Sequence, residues 1–151
     1  MTFVLWLTLM ADIRHAIQIS VPAASVFPLV ATAHGWSQWW AADVREANGV
    51  IEVGFFKRAT LYRLKPLLNE SPSRSEWLVE TGAEWSGTRL AFQLEAAASG
   101  TQLRFTHAGW RSETEYFVNC TTTWGELMFR IKAAAEGKPR GPLFLPDSMA
   151  Y

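Results

Sequence analysis

Residues 112–137 read SETEYFVNCTTTWGELMFRIKAAAEG, and the fold turns on how this stretch is understood. Ser112 followed three residues later by Glu115 is a capping box, in which the serine oxygen takes a backbone N–H of the first turn and the glutamate reaches back. Apolar residues then recur at Phe117, Cys120, Trp124, Leu127, Met128, Ile131 and Ala135, in steps of three and four. Glu115, Asn119, Thr122, Glu126 and Arg130 mark the opposite side. Gly137, with Pro139 beyond it, supplies a stop, so the spacing predicts a helix of about 24 residues, about 36 Å long. Its own propensity is poor: Thr121, Thr122 and Thr123 are β-branched, and an interior glycine such as Gly125 costs about 1 kcal/mol relative to alanine. The helix must therefore be held by what it lies on. Trp124, Cys120, Gly125 and Met128 are either plain core or the lid of a cavity, and Gly125 either admits a close neighbour or relieves a clash.

What it lies on reads as sheet. Ile13, His15, Ile17 and Ile19 alternate with polar or small residues, the period of a strand with one buried face. Residues 23–32 carry Val26, Phe27, Leu29 and Val30 at helical spacing, with Pro28 suited only to a first turn or a kink. His34 opens HGWSQWW, a second short helix in which Trp36 and Trp40 share a face. Strand signals then run for about sixty residues. Asn48-Gly49 joins 44–47 to 50–55 as a two-residue hairpin, since both central positions take positive φ. Residues 59–68 form the next strand, with Pro66 placing its end at an edge or a bulge, and 69–73 turn the chain. In 74–81, Trp77, Val79 and Thr81 share one side, and 88–95 and 102–107 are the clearest amphipathic strands, joined through Ala98-Ser99-Gly100. With short loops the neighbours pair antiparallel. The order is one strand, two short helices, six strands and one long helix, which predicts an α+β fold: a curved antiparallel sheet of about seven strands gripping the last helix.

At 151 residues the chain suits one domain. We divide it into an N-terminal extension (1–12), the domain proper (13–138) and a C-terminal tail (139–151) whose three prolines forbid regular structure, so that 143–145 dock onto the body or meet another chain. Fourteen basic and fourteen acidic residues without a like-charge run argue against a nucleic-acid partner. The apolar run 3–10 is too short to span a bilayer and lacks the basic flank of a secretory signal, so no membrane span is expected. Met1 and Met10 are equal candidates for the native start. A single cysteine, Cys120, on an apolar helix face reads as a buried small hydrophobe and suits the cytoplasm. Eight tryptophans and nine phenylalanines must line something or fill it.

A set of local runs carries a resemblance. Val21-Pro22-Ala23 with Val26-Phe27, Trp36 with Trp39-Trp40, Glu84-Trp85-Ser86-Gly87-Thr88 with Leu90 and Phe92, Thr106-His107-Ala108-Gly109-Trp110, and Trp124 with Leu127 before Glu136-Gly137 together resemble the SRPBCC superfamily. This superfamily is also called START-related or birch-pollen-allergen-like. Within it the chain is most similar to the branch related to activators of the heat-shock-protein-ninety ATPase. The resemblance covers 13 to about 139 and implies a helix-grip fold, with an apolar cavity between sheet and C-terminal helix that takes lipid-like, polyketide-like or other aromatic molecules. Some members are cyclases or hydrolases, and the branch shares no universal catalytic residue.

Local signatures for nucleotide and zinc sites are lacking, and the three histidines His15, His34 and His107 are too scattered for a metal site; no cofactor is expected. His107 shares a strand face with Leu103 and Phe105, where an imidazole is either a core residue bonded to backbone or a group that orients or protonates a ligand. Tyr62 and Tyr116 can supply hydroxyls to a cavity, while Asp43, Glu52, Arg63 and Glu84 read as solvated strand ends. The cavity candidates are Phe27, Trp36, Trp40, Tyr62, Trp77, Phe92, Phe105, His107, Phe117, Cys120, Trp124 and Met128. The leading expectation is binding of an apolar or aromatic small molecule, with a homodimer possible. An enzyme using His107 in the same cavity is the alternative. A chaperone ATPase accessory protein, which needs a charged docking surface, ranks third.

Overall fold

The Asn48-Gly49 hairpin forms as its sequence demands, with φ of 54° and 80° at the two turn residues. It joins β2 (Asp43–Ala47) to β3 (Val50–Phe55) in a computed structural model that describes residues 10–147. The question of Met1 against Met10 as the start falls on residues 1–9, outside the described ones. Before the hairpin come β1 (Ala11–Ile19), α1 (Ala23–Ala31) and α2 (Ala33–Ser37); after it come β4 (Thr60–Glu70), β5 (Arg74–Val79), β6 (Arg89–Ala97), β7 (Gly100–Trp110) and α3 (Glu115–Ala135). The seven strands make one curved antiparallel sheet in the order β1-β7-β6-β5-β4-β3-β2, so β1 closes against the last strand and the short charged β2 forms the other edge. This is the α+β architecture predicted, with the same order of elements.

The alternation in each strand sets the inner face. Leu90, Phe92 and Leu94 on β6 stand opposite His107, Phe105 and Leu103 on β7, and all six are buried. Pro66 sits inside β4 rather than at its end: the register shifts between Pro66 and Leu68, a bulge that absorbs the missing N–H, and the strand continues to Glu70. The second short helix stops at Ser37, and residues 38–40 form a turn that carries Trp39 and Trp40 inward. Pro28 lies within α1, and its own carbonyl accepts the Thr32 hydroxyl at 2.7 Å. Gly35 is required where α2 crosses α1, because a Cβ there would lie 2.1 Å from the Pro28 carbonyl oxygen.

The long helix corrects its own predicted start. Thr114, not Ser112, is the N-cap, accepting the Phe117 N–H at 3.2 Å, and no glutamate reaches back. The shift has a tertiary cause: the Thr114 hydroxyl donates to Glu84 at 2.6 Å, anchoring the cap to the loop between β5 and β6. Glu115 becomes the first helical residue, where its charge meets the positive end of the helix. The stop is as predicted: Gly137 takes φ +79°, and Lys138 N–H reaches the Ala133 carbonyl at 2.8 Å, a Schellman closure. The far end is tied to β1, where Lys132 donates to the Gln18 carbonyl and the Ser20 N–H to Glu136. Phe117, Cys120, Trp124, Leu127, Met128 and Ile131 are all buried against the sheet. Gly125 faces β1, where a Cβ would meet only His15 Cε1 at 3.7 Å. The tail docks on the body: Leu143 and Phe144 N–H groups bond the Trp39 and Trp40 carbonyls, and the Phe144 ring stands edge-on to Phe55 at 5.0 Å.

Candidate functional site

Under the centre of α3 the space expected to be hollow is largely filled by indoles. Trp124 packs on Phe105 at 4.3 Å, Trp40 at 5.2 Å and Trp85 at 5.9 Å between ring centroids. Trp36 reaches Trp77 at 4.7 Å behind them. Rings of this size bury about 150–250 Å² each, so their close packing dominates the core energetics.

His107 belongs to that filled region. It is fully buried; its Nδ1 accepts the Trp124 indole N–H at 3.2 Å, and its Nε2 lies 2.8 Å from the Thr88 hydroxyl. Because an indole only donates, Nδ1 must be bare and Nε2 must carry the proton. The Thr88 hydroxyl, receiving that proton, passes its own to the Trp85 carbonyl at 2.5 Å. Burial pushes the imidazole pKa down to about 3, so the ring is neutral and every polar atom on it is used. Nothing on this histidine is left to act on a ligand.

A space does open, beside the helix rather than beneath it. Between α3, the β3–β4 turn and the β5–β6 loop lies a half-open cleft of about 1030 Å³. Trp40, Phe55, Tyr62, Trp85, Trp124, Leu127 and Phe144 form its apolar walls; Phe56, Ala59, Thr60 and Leu61 form one lip, and Gly82, Ala83 and Glu84 the other. Tyr116, Asn119, Cys120, Thr122 and Thr123 face it from the helix. Of the predicted cavity residues, the structure brings Trp40, Tyr62, Cys120 and Trp124 together here. Phe27, Trp36, Trp77, Phe92, Phe105, His107, Phe117 and Met128 do not border it: they are buried in the core, sealed by the indoles that occupy the middle of the grip. Thr123 and Leu127, which were not among the cavity candidates, share one signal with Tyr116 and Cys120: spaced four, three and four, the four residues form a stripe along the edge of the apolar face, and that edge borders the cleft.

The polar chemistry of the cleft is compact. The Tyr62 and Tyr116 hydroxyls are 2.5 Å apart. Burial raises the pKa of both phenols, and it pushes the Cys120 thiol up to about 11, so all three are protonated at neutral pH. Among the described residues the buried Trp85 indole N–H has no hydrogen-bond partner of normal geometry. Gly82 lets its loop rest on Tyr62, since a Cβ there would lie 2.6 Å from the ring. Tyr62 stacks on Trp85 at 4.1 Å with 12° between planes, and Trp85 lies 20° from Trp124, so three flat side chains run nearly parallel. Among the described residues, no group of three or more His, Cys, Asp or Glu could hold a metal ion, and no helix is long and apolar enough to cross a membrane.

No protein-family model and no curated protein matches the chain. Solved structures do. The solution structure of the Aha1 dimer from Colwellia psychrerythraea superposes with a TM-score of 0.75 at 25% identity, over 85% of this chain and 98% of that one. SSP2350 from Staphylococcus saprophyticus gives 0.71 at 14% identity, over 90% and 99%. The AHSA1-like protein from Aeromonas hydrophila gives 0.65 at 14%, over 86% and 96%. The structural neighbours of this chain are thus Aha1-like and AHSA1-like proteins with an SRPBCC-type fold, the branch that its sequence resembles.

Proposed function

We propose that the protein binds a small, flat, largely apolar molecule in the cleft between α3 and the β3–β4 hairpin. One observation carries this reading: a half-open space of about 1030 Å³ backed by the near-parallel rings of Tyr62, Trp85 and Trp124. A planar guest laid against such a stack gains offset-stacking contacts as well as burial of its faces, while the paired tyrosine hydroxyls offer a polar edge for orientation. No enzyme chemistry is assigned, because the imidazole that would have served it is spent on Trp124 and Thr88. A cytoplasmic setting suits the buried, protonated Cys120 thiol.

The test is a panel of lipophilic ligands, aromatic and aliphatic, followed by tryptophan fluorescence and melting temperature. Trp40, Trp85 and Trp124 border the cleft, so an aromatic guest quenches or shifts their emission. A ligand at 100 times its Kd raises stability by about 2.7 kcal/mol. Silence across the whole panel overturns the proposal.

A second reading is favoured by the similarity to an Aha1 dimer: self-association, together with an accessory role towards a chaperone ATPase. Sedimentation of the purified chain and an ATPase stimulation assay check it; a monomer without stimulation removes it.

A further inference from the structure

Resting on the cleft-binding reading, we infer that the ligand is a planar aromatic amine, held with its ring against the indole stack and its protonated nitrogen at Glu84. Among the described residues that line the cleft, Glu84 is the sole charged side chain; there is no lysine, arginine or histidine to receive an acid. One Glu84 oxygen accepts the Thr114 hydroxyl at 2.6 Å, and no cation pairs with the carboxylate among the described residues. Asp43 and Glu52, by contrast, share Arg58 at the neighbouring lip, at 2.8 and 3.1 Å. The carboxylate shares the cleft lining with the aromatic side chains Tyr62, Trp85 and Tyr116, and a cation placed by it over an aromatic ring is attracted by the ring's electron-rich centre as well. Its charge also adds to the burial that holds the Tyr62 phenol and the Cys120 thiol protonated, so its field extends across the cleft floor. A fatty acid or other carboxylate entering here meets a like charge and no counter-ion. An ammonium meets a carboxylate and aromatic faces together.

Three indoles of similar shape separate the possibilities by calorimetry on the full chain: tryptamine (cationic), 3-ethylindole (neutral) and indole-3-propionate (anionic). Tryptamine is expected to bind about tenfold tighter than 3-ethylindole, and the propionate more weakly than either. In Glu84→Gln, whose amide oxygen still accepts from Thr114, the tryptamine to 3-ethylindole ratio falls to about one. Raising salt from about 20 mM to about 500 mM erodes the same ratio in the unaltered protein, a readout that does not depend on the variant folding. Equal binding of tryptamine and 3-ethylindole, or a ratio that survives Glu84→Gln or high salt, overturns the amine inference and leaves aromatic binding standing. Failure of all three indoles, together with silence from the lipophilic panel, overturns the cleft reading and this inference with it.

Discussion

At His107, burial and hydrogen bonding act in the same direction. The unfolded imidazole titrates near 6.5 and the folded one near 3, so between those values the unfolded chain binds a proton that the folded chain refuses. The contribution to stability is therefore complete above about pH 6.5 and is lost as pH falls towards 3. Urea midpoints between pH 7 and 4 are expected to drop, and His107→Gln should flatten that limb while costing roughly 1–3 kcal/mol at pH 7, because one buried partner is left unpaired. A side chain that titrates normally in NMR spectra contradicts this. Cys120 gives a second test. With its pKa pushed up to about 11, the thiolate is about a hundredfold scarcer than for a free thiol, so labelling at pH 8 should be slower than in urea by at least that factor. The alternation of 102–107 placed His107 on the inner face. That its neighbours would be Trp124 and Thr88 was beyond local pattern, because they come from a helix and a loop brought in by tertiary packing.

Elements were more legible than contacts, since period and turn chemistry are local. The Asn48-Gly49 turn and the Gly137 stop declare themselves because positive φ is affordable at few residues. The helix start did not, because Ser112 and Thr114 are equally good caps until Glu84 selects one. The β3–β4 turn was also hidden: Phe56, Lys57 and Arg58 take φ of 53°, 55° and 69°, a run of left-handed residues with no glycine among them. Such a conformation costs about 1–2 kcal/mol per residue, and Arg58 is held there by Asp43 and Glu52. Lys57 is exposed and, among the described residues, makes a surface ion pair with the exposed Asp147, so Lys57→Gly should gain about 1 kcal/mol in chemical denaturation. A loss of stability would show that the turn is not strained. In α3, Gly125→Ala should gain about 1 kcal/mol and raise Tm by about 2–4 °C, because the added methyl meets His15 at ordinary contact distance. A loss would mean that His15 cannot yield.

For the molecule as a whole, the aromatic load reads differently in sequence and in space. Eight tryptophans announce a large apolar interior, but no spacing says which of them face each other and which face an opening. Trp36, Trp39 and Trp40 arrive on one short segment and all three are buried, yet only Trp40 borders the cleft, while Trp39 is fastened by its N–H to the Leu29 carbonyl at 2.8 Å. The cleft is what remains where α3 and the β3–β4 hairpin diverge, and its border is drawn by the edge of the helix rather than by its apolar centre. Because that space lies on the flank, the proposed guest would slip in sideways without α3 having to lift, and its residence would be governed by the contacts made at the lip, not by any breathing of the grip. Hydrogen exchange should report this directly: on loading, amides at 56–62 slow, while those along the buried side of α3 keep the rates they had when empty.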